Sequence, residues 1–152
     1  MARARRSGSG LAFLFIDIDH FKRINDEYGH PVGDLMLQAV AQRIAGELRV
    51  TDVLTRYGGE EFAVLQPDTD ILEAERVAKR ILSAISDNPF DFGEDEPLNL
   101  TVSIGIATMD SADYMLDGGL LTKGADDAML EAKRRGRNQI VLAPQIMAGV
   151  GT

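Results

Sequence analysis

The sequence predicts an α+β domain in which helices pack around a central, mainly antiparallel sheet, and three observations predict it. Leu11, Ala12, Phe13, Leu14, Phe15 and Ile16 form a continuous apolar run, which reads as a strand buried on both faces and therefore central. Two short apolar runs, residues 53–57 and 61–66, flank Gly58 and Gly59 and read as strand, glycine turn and strand. Segments of helical period precede and follow that hairpin, giving the order β-α-α-β-β-α-β-α-β.

The first strand ends in Asp17, Ile18 and Asp19, and residues 20–28 make a short helix with Asp19 as its N-cap. Gly29, His30, Pro31, Val32 and Gly33 form a breaker-rich loop. From Asp34 a second helix places Leu37, Val40, Ala41, Ile44 and Leu48 on one apolar face. After the hairpin, residues 71–85 form a helix with Ala74, Ala78, Ile81 and Ile85 on one side. Residues 88–97 are acidic and irregular, a loop with at most a short edge strand. Residues 98–109 alternate as a strand interrupted by Gly105. Residues 125–135 form a helix with Ala125, Ala128, Met129 and Ala132 inward, stopped by Gly136, and residues 138–142 are the last strand. The domain therefore runs over residues 11–143. Residues 1–10 read as the end of a preceding helix or an arbitrary start, and residues 144–152 as a frayed tail.

With 152 residues, 45% hydrophobic and 26% charged, the chain has room for one domain with a real core. No apolar run approaches the roughly 20 residues of a membrane span, so no membrane contact by this domain is expected. The absence of cysteine excludes disulfides and thiolate metal sites. A formal net charge of −8 argues against a nucleic-acid polymer as partner, because phosphate backbones bind basic faces. Any nucleotide is bound locally, with metal ions offsetting carboxylate charge.

The chemistry gathers at two turns. In a βααββ unit the end of the first strand, with Asp17 and Asp19, lies beside the hairpin tip with Glu60 and Glu61. Four carboxylates at one sheet edge call for cations. Magnesium is the natural one, since it takes hard oxygen ligands and keeps substrate phosphates as partners. A two-metal site would activate an attacking hydroxyl and stabilise a leaving pyrophosphate. For Asp17 and Asp19 alone the plainer alternative is that they solvate a strand end. For Lys133 and Arg137 it is a cationic helix C-terminus favoured by the macrodipole, and for Arg49 and Asp52 a surface ion pair.

Several motifs resemble the GGDEF family, the diguanylate cyclases. They are Phe15-Ile16-Asp17-Ile18-Asp19-His20-Phe21-Lys22-Arg23-Ile24-Asn25-Asp26-Glu27-Tyr28-Gly29-His30, then Gly33-Asp34, then Arg56-Tyr57-Gly58-Gly59-Glu60-Glu61-Phe62. Val102-Ser103-Ile104-Gly105-Ile106-Ala107, Ala125-Asp126-Asp127-Ala128 and Ala132-Lys133-Arg134-Arg135-Gly136-Arg137-Asn138 complete the set, so that the match runs from about residue 11 to 142 in the family's order. The resemblance implies a ferredoxin-like sheet related to the palm of class III nucleotide cyclases. It implies an enzyme that joins two GTP molecules into cyclic di-GMP with release of two pyrophosphates. Two magnesium ions per site, or manganese in their place, would be held by Asp17, the Ile18 carbonyl, Glu60 and, less firmly, Glu61. Glu60 would also be the base for the 3′-hydroxyl.

For the substrate, the resemblance implies phosphate contacts from the backbone N–H groups of His20 and Phe21 and from Lys22, Lys133 and Arg137. Asn25 and Asp34 would read guanine. Leu37 would wall the base pocket, although it is equally a core leucine, and His30 would organise its loop. Arg49-Val50-Thr51-Asp52 fits the family's R-x-x-D inhibitory site, where cyclic di-GMP acts as product and inhibitor, with Arg80 as an extra contact. The usual Asp-x-Leu-Thr stretch and helix before the first strand are missing, so the chain reads as a fragment. Met129-Leu130 replaces the usual Leu-Tyr, and the signature acid is Glu60 instead of aspartate. A second copy of the domain is needed to supply the second GTP, and with nothing here to hold a pair the isolated chain is expected to be mainly monomeric. The need for GTP places the domain in the cytoplasm, with a parent protein that can still be membrane-anchored. The competing reading is a non-catalytic regulatory module that binds GTP or cyclic di-GMP.

Overall fold

A computed structural model describes residues 10–93, 96–110 and 118–144. Along these, the chain forms β1 (Gly10–Ile18), α1 (Phe21–Tyr28), α2 (His30–Ala45), β2 (Val53–Arg56), β3 (Glu61–Pro67), α3 (Ile71–Ser86), β4 (Val102–Asp110), α4 (Gly118–Arg134) and β5 (Gln139–Leu142). The strands make one sheet in the order β2-β3-β1-β4-β5. β1 lies at its centre and pairs antiparallel with β3 and β4; β2 pairs antiparallel with β3, and β5 joins β4 in parallel. The expected α+β, palm-like architecture is therefore present.

Both faces of β1 are covered, which explains its unbroken apolar run. Ala12, Leu14, Ile16 and Ile18 face one core with Met36, Val40 and Ile44 of α2 and Ala74, Ala78, Ile81 and Ile85 of α3. Leu11 and Phe15 face the other, against Leu121, Ala125 and Met129 of α4. The two-residue period of the strand thus splits its apolar side chains between two helical layers. The N-terminus of α3 is closed by Asp70, whose side chain accepts the Glu73 N–H at 2.9 Å.

Four sequence expectations need correction. The breaker-rich loop at 29–33 is mostly helix: Gly29 turns the chain at φ 91° and α2 begins at His30, with Pro31 in the first turn where its missing N–H costs nothing. Asp19 does not cap α1. His20 occupies that position in the left-handed region (φ 59°), without a side-chain cap, because the Asp19 carboxylate is engaged elsewhere. α4 starts at Gly118, seven residues before Ala125, since Leu121 already packs on the second core.

Gly105, finally, does not interrupt β4. A Cβ there would lie 2.2 Å from Ala125 O and from Met129 N, so glycine lets the α4 backbone rest directly on the strand. Smaller boundary shifts follow the same logic. β4 starts at Val102, and Leu98 instead forms an isolated antiparallel bridge with Phe90, which is the short pairing expected within the acidic stretch. Leu48 lies beyond the end of α2 yet packs against the core. Residues 1–9 and 145–152, read as a helix remnant and a tail, lie outside the described residues.

Candidate functional site

The sheet brings the two acidic turns together. Asp17 lies directly opposite Glu61 in the β1–β3 register, and the Ile18 N–H donates to the Glu60 carbonyl at 3.3 Å. Opposed residues of antiparallel strands share a face, so Glu61 stands on the same side of the sheet as Asp17. The hairpin itself is held by the Tyr57 N–H, which donates to the Glu61 carbonyl at 2.8 Å, and by the Arg56 guanidinium, which donates to the Gly58 and Gly59 carbonyls at 3.2 and 2.8 Å. Only Gly58 serves room, and neither glycine has a positive φ. A Cβ at Gly58 would meet Glu61 Oε1 at 2.7 Å, and at Gly59 it would point into open space.

Asp17 is 6% exposed, and its carboxyl is pushed up to about 7. Burial is the main cause; Lys133 pulls the other way, and the neighbouring Glu60 carboxyl adds to the rise. Lys133, reaching over from α4, places Nζ 3.3 Å from Asp17 Oδ1 and 3.6 Å from Asp19 Oδ1. Asp17 Oδ1 nevertheless accepts no hydrogen bond. The Glu61 carboxyl is also raised, first by burial and then by the charges of Asp17 and Asp126. Among the described residues, no three His, Asp or Glu side chains are grouped to hold a metal on their own. The donor set still fits magnesium, which is commonly bound through one or two carboxylates with substrate phosphates filling the remaining positions. A buried carboxylate oxygen met only by the Lys133 ammonium, with no aligned hydrogen bond and a second carboxyl alongside, is what such an ion satisfies.

Asp19 sits beneath this edge. Its oxygens accept from Thr101 Oγ1 (2.6 Å), Ser103 Oγ (2.7 Å) and the Asn138 N–H (3.0 Å). Sequence reasoning placed Asp19 among the carboxylates but missed Thr101 and Ser103. A serine inside the buried run of β4 was the available signal, because a buried hydroxyl must find a partner.

Next to Asp17 the first turn of α1 begins without a side-chain cap, beside a shallow hollow of about 540 Å³ lined by His20, Lys22, Arg23, Asp26 and Glu27. Phe21 itself is buried, so only its backbone can serve a ligand, while Lys22 is exposed and 3.6 Å from Asp26. Asn25 packs on Gly33, the residue before Asp34, at the α1–α2 junction. A Cβ at Gly33 would lie 1.9 Å from Asn25 Oδ1, so glycine before Asp34 is what admits the amide. Asp34 and His30 are exposed, and Leu37 is buried in the core. Arg137 is exposed in the turn before β5, with φ 66°.

Arg49 and Asp52 lie at the other end of the β2–β3 pair, where Val53 opposes Leu65. Seven residues of β3 separate them from the Glu61 end, roughly 20 Å at strand rise. Arg49 NH2 donates to Asp52 Oδ1 (2.9 Å), Pro67 O (3.1 Å) and Thr69 Oγ1 (2.6 Å), and the Arg49 N–H donates to Asp52 Oδ2 (2.8 Å). Gln66 Nε2 adds a bond to Asp52 at 3.2 Å. The Asp52 side chain is wholly buried. Burial alone would raise its pKa, but these hydrogen bonds outweigh it and hold the carboxyl below the ordinary range. Arg80 pairs with Glu47 at 3.2 Å and shares with Arg49 a small hollow of about 120 Å³.

A central antiparallel palm with carboxylates, a lysine and an open helix start at one sheet edge has the architecture of a nucleotide-cyclase domain. The sequence model for the diguanylate cyclase GGDEF domain matches residues 1–139, and the chain belongs to that family. It is 44% identical over 141 residues to the response regulator PleD of Caulobacter vibrioides, covering 91% of this chain and 30% of that protein. The chain thus spans about a third of the length of that curated relative. The structure resembles the active GGEEF domain of a diguanylate cyclase from Vibrio cholerae, with TM-score 0.81, 32% identity and coverage of 95% of this chain and 90% of that one. It also resembles the GGDEF domain of DgcB from Caulobacter crescentus in complex with c-di-GMP, with TM-score 0.81, 31% identity and coverage of 93% and 82%. No helix among the described residues is long and apolar enough to cross a membrane.

Proposed function

We propose that this chain is the catalytic domain of a diguanylate cyclase, which condenses two GTP molecules into cyclic di-GMP and two pyrophosphates. The observation that carries the reading is the meeting of Asp17 and Glu60 at one sheet edge, with a buried Asp17 oxygen that accepts no hydrogen bond beyond its ion pair with Lys133. Membership of the family supports the same reading. Asp17, the Ile18 carbonyl, Glu60 and Glu61 are the groups that would hold two magnesium ions, or manganese in their place. When bound, such ions lower the pKa of a substrate hydroxyl and neutralise charge on the phosphates.

The chain's own residues then have distinct tasks. The uncapped start of α1, with the N–H groups of His20 and Phe21, takes the terminal phosphates together with Lys22, Lys133 and Arg137. Asp34 accepts from guanine N1–H and the exocyclic amine, and Asn25 pairs beside it; adenine presents a different edge, so Asp34 selects GTP. Glu60 takes the proton of the 3′-hydroxyl as its oxygen bonds to the α-phosphorus of the other GTP. The bond from that phosphorus to the pyrophosphate oxygen breaks, and the pyrophosphate leaves with its electron pair. The same exchange in the opposite direction closes the ring.

One copy holds one GTP, so two copies face each other with substrates antiparallel, and the isolated chain is mainly a monomer that turns over slowly. Arg49, Asp52 and Arg80 form the product-inhibition site; because Arg49 is engaged with Asp52, Pro67 and Thr69, product has to draw it out of that network. The domain works in the cytoplasm, where GTP is.

The test is synthesis of cyclic di-GMP from GTP and magnesium by a forcibly paired form of the domain. The wild type makes product, and Glu60→Ala lowers the rate at least about a hundredfold, the scale of a lost general base. Equal output from both sinks the site assignment. A paired wild type that binds GTP or cyclic di-GMP without making product supports the regulatory-module reading instead.

A further inference from the structure

Asp19 has no task in the chemistry above, yet it is 3% exposed and the most heavily engaged carboxylate of this edge. Its partners come from three places in the chain: Thr101 before β4, Ser103 within β4, and the Asn138 N–H in the turn between α4 and β5. Lys133 Nζ stands 3.6 Å from Oδ1.

That turn is conformationally costly. Gly136, Arg137 and Asn138 follow one another at φ 117°, 66° and 49°. A non-glycine residue is disfavoured in the left-handed region, arginine more than asparagine, and stays there only where its surroundings dictate it. Three bonds act on the pair: the Arg137 N–H donates to Ala132 O at 2.9 Å, the Asn138 N–H donates to Asp19 Oδ2, and Gln139 Nε2 of β5 donates to the Arg137 carbonyl at 3.1 Å. The first is internal to the helix end. The second is the link that ties the turn to the sheet at the strand end carrying Asp17. Arg137 sits on this turn, and Lys133 sits on the last turn of the helix that leads into it.

We propose that Asp19 is a positioning residue for the triphosphate: it fixes the 136–138 turn and tethers Lys133, so that Arg137 and Lys133 are presented together beside the start of α1. This rests on the reading of Lys133 and Arg137 as phosphate contacts. Thr101 and Ser103 share the work, because their hydroxyls hold the Asp19 carboxylate in register with Asn138. A carboxylate that only stabilised the fold would affect every ligand alike; one that aims the phosphate grip affects ligands in proportion to their phosphates.

The experiment compares the affinity of two probes in magnesium: a GTP analogue with a methylene bridge between the α- and β-phosphorus, and guanosine, which keeps the base and lacks all phosphates. Asp19→Asn is expected to weaken the analogue about tenfold or more, the scale of one lost charge-assisted hydrogen bond, and to leave guanosine unchanged. Should Asp19→Asn fail to fold, Ser103→Ala and Thr101→Val carry the test with a smaller loss in the same direction. In an Arg137→Ala background the effect of Asp19→Asn shrinks, since one of the groups it aims is gone.

Equal weakening of both probes overturns the proposal, and so does an unchanged analogue affinity while Lys133→Met and Arg137→Ala still lower it; either leaves the phosphate reading standing. Analogue affinity indifferent to Lys133→Met and Arg137→Ala removes the phosphate reading and the proposal with it.

Discussion

Two buried aspartates at opposite ends of the sheet have opposite fates. Asp17 and Asp52 each face a cationic side chain at about the same distance, 3.3 Å from Lys133 and 2.9 Å from Arg49. Around Asp52 every nearby donor is aimed at the carboxylate: the Arg49 N–H, the Arg49 guanidinium and Gln66. Its pKa is held down accordingly. Asp17 has a similar ion pair but a second carboxyl, Glu60, alongside, and its inner oxygen receives no hydrogen bond; its pKa rises to about 7. An ion pair alone therefore does not stabilise a buried carboxylate; the number and aim of hydrogen bonds decide the sign. One end of the sheet is complete as it stands. The other is an anionic edge suited to a cation.

Removing Glu60 from the open end is the largest expected effect, the loss of synthesis described above. At the closed end, Asp52→Ala should lower stability by about 2–4 kcal/mol in chemical denaturation, because Arg49 and Gln66 lose a buried acceptor. A loss below ~0.5 kcal/mol would erase the contrast between the two ends.

Asp17→Asn should do the reverse in metal-free protein. The folded pKa lies above the ordinary carboxylate value of 3.8, so the proton stabilises the fold fully at low pH, and that contribution is lost as pH rises through about 7. Wild type and Asp17→Asn should then match near pH 4 and separate by pH 8, with the variant more stable by about 1–2 kcal/mol, a discounted fraction of the shift. A variant less stable at pH 8 would show that the Lys133 pair outweighs burial. Arg49→Ala strips the guanidinium from the wholly buried Asp52 carboxylate, leaving it one backbone N–H and Gln66, and should also cost about 2–4 kcal/mol while relieving inhibition by cyclic di-GMP. Unchanged inhibition would reject the product site.

Much of this contrast was legible in the sequence. The apolar run of β1 and the Gly58–Gly59 turn led to a central strand beside a hairpin, and hence to Asp17 opposite the Glu60–Glu61 tip. The misread parts share a cause: local signals were overridden by tertiary partners. Gly29 and Pro31 look like loop residues, but Gly29 makes only the turn, Pro31 fits the first turn of α2, and Gly33 packs that helix on Asn25. Asp19 has the spacing of an N-cap, but Thr101 and Ser103, more than 80 positions away, claim its oxygens. Gly105 reads as a strand breaker until α4 is seen lying on it. The Arg49–Asp52 pair was legible from its spacing, but hydrogen bonds between distant segments leave no periodic trace, so Gln66, Pro67 and Thr69 around it were not.

The most direct test of the account is the thermal unfolding midpoint with and without magnesium plus the methylene-bridged GTP analogue, in wild type, Asp17→Asn and Arg49→Ala. Ligand that binds only the folded state raises the midpoint. The account predicts a rise of several degrees in wild type and Arg49→Ala and little or none in Asp17→Asn. An equal rise in Asp17→Asn would contradict it, because the cation and nucleotide would then be held somewhere other than the Asp17 edge.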